Sequence, residues 1–221
     1  NNPDSNETIL NYVRIKLKKT GTKEGCAEGG CGACTVVLGE LKKNNISYKA
    51  INSCIAFVPS LEGKQLILVE DLISEDELHP VQKAMVNYHG SQCGFCTPGF
   101  VMSLFAMYKN YSSYKEDIIK DTIQGNLCRC TGYRPIIDAA KSLNKESRFD
   151  HFSRNKKITL DLLRKIKQRN IAIINDNKKY FAPTSVNKLK SILKQEPNSK
   201  LISGGTDVSL IVTKEKKDLN S

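Results

Sequence analysis

Residues 26–34 read CAEGGCGAC, and Cys54 follows after a further nineteen residues. Three cysteines in one loop, spaced Cys-x4-Cys-x2-Cys, with a fourth from a separate element, are the plant-type pattern for a [2Fe–2S] cluster. The glycines of this loop let the backbone fold tightly and direct amide N–H groups at the sulfur atoms. Zinc would favour paired Cys-x2-Cys knuckles. The spacing therefore predicts an iron–sulfur centre held by Cys26, Cys31, Cys34 and Cys54.

A second set of four cysteines has the spacing Cys-x2-Cys, thirty-one residues, Cys-x-Cys. On chemistry alone this set leaves iron and zinc open, because a Cys-x2-Cys with a distant pair also suits zinc. Each pair comes shortly before a proline that is predicted to open a helix, Pro98 or Pro135. Helix N-terminal N–H groups can then surround one anionic centre, which favours iron. The predicted ligands are Cys93, Cys96, Cys128 and Cys130.

The net charge of +11 is concentrated towards the C-terminus. Residues 1–147 carry 17 Lys and Arg against 16 Asp and Glu, whereas residues 148–221 carry 17 against 7. Aromatic residues do not alternate with the basic ones, as a base-stacking surface would need, so we expect no nucleic-acid partner. The sequence shows neither a secretory leader nor an apolar run of about 20 residues. We therefore expect a cytoplasmic protein without membrane contact.

The hydrophobic pattern before residue 77 predicts a small α+β unit with the first cysteine loop at one end. Residues 8–17 place Leu10, Val13 and Leu17 on one helical face, together with Arg14. Alternating apolar residues bounded by turn signals predict three short strands. These strands cover residues 35–38, 46–51 and 65–69.

From residue 79 the apolar period changes from two to about 3.6, which predicts a bundle of four short helices. They begin at Pro80 and Pro98, cover residues 115–124, and begin again at Pro135. A partly helical stretch is predicted over residues 160–169. After it, the sequence predicts a hairpin of residues 171–174 and 179–182, a helix capped by Ser185, and a short strand at 200–202.

Three segments resemble the iron–sulfur region of the molybdenum hydroxylases, a family that includes xanthine dehydrogenase, aldehyde oxidase, nicotinate dehydrogenase and aerobic carbon monoxide dehydrogenase. They are residues 23–35 (KEGCAEGGCGACT), 92–99 (QCGFCTPG) and 125–135 (GNLCRCTGYRP). The resemblance covers about residues 8–145 and implies a ferredoxin-like β-grasp domain and a helical domain with one [2Fe–2S] cluster in each. It also implies that Gln92 contacts the molybdopterin cofactor on a partner. Without the family, Gln92 would be an ordinary polar cap.

Residues 181–212 resemble the opening of the flavin domain of xanthine dehydrogenases. A Gly-Gly-Thr loop can hold a dinucleotide pyrophosphate with its backbone N–H groups, although alone it also fits a plain turn. The resemblance implies that FAD is bound by Ser203, Gly204, Gly205, Thr206 and Asp207. Carbon monoxide dehydrogenase types carry their flavin on a separate subunit, so fusion here favours the xanthine dehydrogenase type, with NAD as final acceptor.

We predict an α+β multidomain chain with four parts. A ferredoxin-like domain covers residues 1–76, a helical cluster-binding domain 77–147, a solvated basic connector 148–180, and the start of an α+β FAD-binding domain 181–221. The family's β-grasp domain begins with a hairpin before residue 8, and its flavin domain continues far beyond residue 221. We therefore expect the chain to be incomplete at both ends and its flavin site to be partial.

The predicted function is electron transfer from a molybdenum centre on a large partner subunit, through both clusters, to FAD and NAD. No Ser/His/Asp or paired-carboxylate site is evident, and His79, His89 and His151 are predicted to be structural. The alternatives are a subunit of a related aldehyde or N-heterocycle oxidoreductase, a free ferredoxin-like carrier, and a zinc-stabilised interaction domain.

Overall fold

The structure is a computed structural model that describes residues 4–145, 149–166, 170–175 and 178–219. Its first sheet is a hairpin with one added strand. β1 (Thr35–Lys42) and β2 (Asn45–Asn52) pair antiparallel, and β3 (Gln65–Ile67) pairs with the other edge of β1. All three predicted strands are confirmed. β3 is shorter than predicted because a 3₁₀ turn follows it, in which the Asp71 carboxylate accepts a 2.8 Å hydrogen bond from the Leu68 amide.

The predicted N-terminal helix is present but changes its pitch. A short α-helix, α1 (Ile9–Asn11), continues as a π-helix over Tyr12–Lys16. Ile9 and Val13 are fully buried against β1. Leu17, predicted on the same face, is 44% exposed. A π-helix closes its hydrogen bonds five residues apart, so the wider turn rotates Leu17 away from the buried face.

The predicted four-helix unit is confirmed. Its helices are α2 (Pro80–Asn87), α3 (Thr97–Asn110), α4 (Glu116–Ile123) and α5 (Arg134–Ser142). A proline lies in the first turn of three of them, where its missing N–H costs nothing. The apolar stripe of α3 is buried, as its spacing predicted. Phe105 of α3 meets Tyr48 of β2 edge to face, and both belong to one hydrophobic core. The sheet and the helices are thus packed on a shared core.

The predicted basic connector is more structured than its charge suggests. It contains α6 (His151–Arg154) and α7 (Lys156–Lys165). Leu160 and Leu163 of α7 join the shared core. The predicted helix at 160–169 therefore begins earlier, and residues 167–169 lie outside the described part. The expectation of a solvated connector is wrong for α7. This helix is amphipathic, with Leu160 and Leu163 packed on the core and its lysines exposed to solvent.

A buried ionic cluster anchors the start of this connector. The Asp150 carboxylate lies 2.9 Å from Nε2 of His79 and 2.8 Å from Nζ of Lys109, and all three side chains are nearly inaccessible. Ser153 donates its amide to the same carboxylate. His79 also accepts from the Val81 amide at the start of α2. The cluster therefore ties α2, α3 and α6 together, in agreement with a structural role for His79.

The C-terminal part forms a smaller unit. The predicted hairpin is present as β4 (Ile171–Asn175) and β5 (Lys178–Ala182), and its turn residues 176 and 177 lie outside the described part. The Ser185 hydroxyl caps α8 (Val186–Gln195), as predicted, and α9 (Val208–Thr213) follows. The predicted strand at 200–202 is wrong. Residues 200–202 have no regular secondary structure, and the described sheet of this unit holds β4 and β5 alone.

No helix within the described ranges is both long and apolar enough to cross a membrane.

We expect Asp150→Ala to lower the free energy of unfolding by about 3–5 kcal/mol, because Lys109 would stay buried without its carboxylate. Burial opposes ionisation, but hydrogen bonds from His79 and Lys109 outweigh it and lower the pKa of Asp150. The contribution of Asp150 is therefore present above the ordinary carboxyl pKa and lost as pH falls through the lowered one. Urea unfolding of the wild type and of Asp150→Ala, measured from pH 7 to pH 3, should show the difference between their free energies of unfolding decreasing as the pH falls.

The matched control is Glu77→Ala, which removes an exposed ion pair with Lys83. Exposed pairs contribute about 0–1 kcal/mol. If Asp150→Ala cost no more than Glu77→Ala at pH 7, the anchoring role of the ionic cluster would be wrong.

Candidate iron–sulfur centres

The hairpin register brings two cysteines of the first set together. Cys34 immediately precedes β1 and Cys54 lies just after β2, whose ends pair as Thr35 opposite Asn52. Between them, the Ser53 hydroxyl and amide donate to the Cys34 carbonyl, at 2.7 and 3.3 Å. Both cysteines are buried. Residues far apart in sequence thus become neighbours through strand pairing.

The four thiols of the first set lie in two pairs. Cys34 and Cys54 hydrogen-bond through their side chains, and so do Cys26 and Cys31. The hydrogen bond from the Cys54 thiol lowers the pKa of Cys34 to about 7, against the effect of burial. The same contact, with burial, raises the pKa of Cys54. In each pair one thiol therefore ionises more readily than the other, and the thiolate is the form that binds metal.

Backbone amides face the sulfur atoms of this loop. The amides of Glu28 and Cys31 both lie 3.4 Å from Sγ of Cys26 as donors. Burial raises the pKa of Cys26, but these amide hydrogen bonds outweigh it and the net shift is downward. Gly29 adopts φ +77°, and its amide donates to Cys54. A Cβ at Gly25 would lie only 2.7 Å from Sγ of Cys31. The loop fits a negatively charged centre close to its backbone.

The second set lies where two loops meet the starts of α3 and α5. Cys96 immediately precedes α3, and the Cys128–Cys130 loop leads into α5 through Tyr133, whose φ of +67° turns the chain. The Tyr133 hydroxyl accepts from the Cys128 amide at 2.9 Å, and the Thr131 hydroxyl lies 3.1 Å from Sγ of Cys128. Although burial opposes it, the Thr131 contact holds the pKa of Cys128 below its ordinary value.

These thiols also lie in two pairs. Cys96 pairs with Cys128, and burial together with that neighbour raises the pKa of Cys96 to about 12. Cys93 pairs with Cys130, whose pKa is raised mainly by that contact. Cys93 and Cys130 are exposed, whereas Cys96 and Cys128 are half-buried. The second set therefore lies at the surface, unlike the pair Cys34 and Cys54.

In each set the predicted ligands form two hydrogen-bonded thiol pairs, and the charges of the two pairs interact with each other. In the described part of the chain, no three His, Cys, Asp or Glu side chains converge closely enough to hold one metal ion. In a [2Fe–2S] cluster each of the two irons takes two protein ligands, so two neighbouring thiol pairs match its donor set. The thiols and the surrounding N–H donors therefore fit such a cluster at each site.

Sequence reasoning missed several polar residues that shape these loops. Ser53, Thr131 and Tyr133 bond to predicted ligand cysteines or their backbone. Asn126 is buried between the two loops. Its place beside Gly125 and the Cys-x-Cys pair was a visible signal, but its role depends on a contact with Gly32, ninety-four residues away.

The other predicted site residues are Gln92 and those of the predicted flavin loop. Gln92 is exposed in the loop before Cys93. Gly204 and Gly205 adopt φ near +85°, in a loop that borders a cavity of about 610 Å³. Ile55, next to Cys54, also lines this cavity. Beyond α9, Nζ of Lys214 lies 3.2 Å from the Cys26 carbonyl, so the C-terminal unit contacts the first cysteine loop.

Comparison with known proteins identifies two families along the chain. Residues 2–59 match the 2Fe-2S iron-sulfur cluster binding domain. Residues 68–141 match the [2Fe-2S] binding domain. Each match contains one complete cysteine set, and the chain therefore has two [2Fe–2S] cluster-binding domains.

The curated relatives include xanthine dehydrogenases. That of Blastobotrys adeninivorans is 50% identical over 146 residues, which are 65% of this chain and 10% of the relative. That of Emericella nidulans is 34% identical over 253 residues, with 94% of this chain and 18% of the relative covered. The chain spans only about a tenth to a fifth of the length of these relatives.

The solved structures include a chain of similar extent. A chain of quinoline 2-oxidoreductase from Pseudomonas putida 86 is 30% identical with a TM-score of 0.57, and 65% of this chain matches 87% of that one. Aldehyde oxidoreductase from Desulfovibrio gigas is 32% identical with a TM-score of 0.60, over 67% of this chain and 16% of that one. The resemblance predicted from the cysteine segments is confirmed, and the chain belongs to the two-cluster iron–sulfur proteins of the molybdenum hydroxylase family.

Proposed function

We propose that this chain transfers electrons within a xanthine dehydrogenase-type molybdenum hydroxylase, from a molybdenum centre on a large partner subunit to FAD and then NAD. The observation that carries the proposal is the gathering of eight cysteines into two sets of thiol pairs, whose loops lie against each other. No acid–base residue is required of this chain, because the family's hydroxylation takes place on the partner. The protein tunes electron flow through ligands, hydrogen bonds and burial.

We assign the ligands as two sets. One centre takes Cys26, Cys31, Cys34 and Cys54, and the other takes Cys93, Cys96, Cys128 and Cys130. Each [2Fe–2S] cluster, when bound, carries one electron at a time. The amides of Glu28 and Cys31 stabilise negative charge at the first set, and the Thr131 hydroxyl does so at the second.

Exposure supports an order for the two centres. The second set presents Cys93 and Cys130 to solvent, where a partner subunit can approach. The first set is more buried and contacts the C-terminal unit through Lys214, which also pairs with Glu28 at 3.1 Å. Electrons would therefore enter at the second set and leave from the first towards the flavin.

The partner is proposed to be a molybdopterin-containing subunit. Gln92 lies beside exposed Cys93, with half-exposed Phe95 and Leu127 near the same cysteines in sequence. Exposed apolar side chains together with an exposed amide suit a protein interface that also reaches a cofactor. We assign Gln92 to the pterin contact. A cytoplasmic location and NAD as acceptor belong to the same proposal.

The flavin assignment depends on the loop Ser203–Asp207. Two consecutive glycines with positive φ leave its backbone open to a ligand, and the adjacent cavity has the size of a cofactor site. The resemblance adds Thr206 and Asp207 as FAD contacts. We retain residues 1–76, 77–147, 148–180 and 181–221 as the proposed functional division, with α7 packed on the shared core instead of being fully solvated.

A related aldehyde or N-heterocycle oxidoreductase is the second candidate. It is favoured by the likeness to the quinoline 2-oxidoreductase chain, most of whose length is matched. The substrate pocket would belong to the partner in either case.

We expect the two centres to respond separately to ligand changes. Cys31→Ser should remove one paramagnetic signal of the dithionite-reduced protein and leave the other, and Cys128→Ser should do the reverse. Each replaces a thiolate by a hydroxyl, a poor iron ligand, at one set alone. Low-temperature EPR of the anaerobically purified proteins measures this. Loss of both signals from a single change, with an intact circular dichroism spectrum, would show that the four-plus-four assignment is wrong.

In the full-length protein, with its flavin domain complete, we expect Gly205→Val to weaken FAD binding by about tenfold, or about 1.4 kcal/mol. A valine Cβ at φ +86° is strained and would lie 2.8 Å from the Ile202 side chain, so the loop would move. Quenching of flavin fluorescence during titration measures the affinity.

The matched control for this flavin test is Gly63→Val, which introduces the same strain at φ +72° in open space outside the loop. Equal FAD affinity in wild type and Gly205→Val would remove this loop from the flavin site.

A further inference from the structure

The two cysteine loops touch at a point where three backbone segments meet so closely that two of its glycines have no room for a Cβ. A Cβ at Gly32 would lie 2.3 Å from the Gly125 carbonyl oxygen, and a Cβ at Gly99 would lie 2.2 Å from the Gly32 carbonyl oxygen. Gly32 lies in the first cysteine loop, Gly125 precedes the second, and Gly99 is in the first turn of α3. Side chains larger than hydrogen would therefore separate the two loops.

The side chain of Asn126 fills this junction, and both polar atoms of its amide form hydrogen bonds there. Its Nδ2 donates to the Gly32 carbonyl at 3.0 Å and lies 3.3 Å from the Thr35 hydroxyl. Its Oδ1 accepts from the Ser103 hydroxyl of α3 at 2.7 Å. Asn126 is only 3% exposed. One buried residue thus binds the first loop, the start of β1 and α3 at once.

Directly after Asn126, the backbone joins the two ligand sets. The Leu127 amide donates a 2.9 Å hydrogen bond to the carbonyl of Cys31, and Cys128 is the next residue. A proposed ligand of the first centre is thus linked to a proposed ligand of the second through one hydrogen bond and one peptide unit.

We propose that Asn126 is a positioning residue. It holds the two cysteine loops in a fixed relative position and so maintains the Leu127–Cys31 hydrogen bond that bridges the centres. The inference rests on the proposed function, since it assigns the bridge to cluster ligands. Nothing in the bridge is titratable, so it holds the loops together at any pH at which the chain is folded. Its loss would let the loops shift against each other and weaken the coupling between the two centres.

The test compares three variants. Asn126→Asp keeps the shape and the acceptor for Ser103 but replaces the amide donor by oxygen, which would face the Gly32 carbonyl. Ser103→Ala removes only the contact to Oδ1 and provides a milder change if Asn126→Asp folds poorly. Asn110→Ala is the matched control. Its side chain also joins the sheet to α3, through the backbone of Tyr48, but at a distance from the cysteine loops along both elements.

Two measurements are made on each protein. Hydrogen exchange of the Leu127 amide reports the bridge itself. We expect it to be about tenfold faster in Asn126→Asp than in wild type, equivalent to about 1.4 kcal/mol, with a smaller rise in Ser103→Ala and none in Asn110→Ala. The spin–spin splitting in the EPR spectrum of the fully reduced protein reports coupling between the centres. We expect it to be reduced in Asn126→Asp and unchanged in Asn110→Ala.

The outcomes separate the inference from the proposed function. If wild type shows two paramagnetic signals but Asn126→Asp leaves exchange and splitting unchanged, the positioning role is wrong and the proposed function stands. If exchange rises while splitting stays the same, Asn126 stabilises the fold alone and the inference is overturned. A change of splitting in Asn110→Ala as well would also overturn it. If wild type shows no paramagnetic signal after anaerobic reduction, the proposed function itself fails.

Discussion

The structure depends on gathering eight thiols without leaving their charge unsatisfied. A thiolate brought near another needs donors close by, and backbone amides supply them where the chain can turn tightly enough. This explains why Gly29, with positive φ, presents its amide to Cys54, and why Gly25 has no room for a side chain beside Cys31. At the second set, the Thr131 hydroxyl takes a similar role beside Cys128.

A second constraint is that both cysteine loops need a rigid support. The sheet and the four helices share one core, in which Phe105 of α3 contacts Tyr48 of β2. Buried polar groups also determine how the packed elements are oriented. Asp150 anchors the connector, and Asn126 holds the two cysteine loops together. Such groups are costly when any partner is missing, so they favour one arrangement of the elements over others. The two cluster-binding domains are therefore parts of one packed body.

Sequence alone predicted what depends on local pattern. Cysteine spacing identified both sets, and prolines in the first turns located α2, α3 and α5. The predictions that failed concern segments whose structure depends on contacts with residues distant in sequence. The strand predicted at 200–202 has no neighbouring strand among the described residues, and the expected solvated connector instead packs Leu160 and Leu163 of α7 on the shared core. The division of thiols into pairs also depends on tertiary contacts, because only the hairpin register makes Cys34 and Cys54 neighbours.

The most direct test of the two-cluster assignment is the metal content of the whole chain. The protein should be purified without oxygen and analysed for iron, acid-labile sulfide and zinc in the same sample. We expect about four iron and four sulfide per chain, from two [2Fe–2S] clusters, with negligible zinc. Stoichiometric zinc without labile sulfide would contradict this assignment and would make the eight cysteines a zinc-stabilised scaffold.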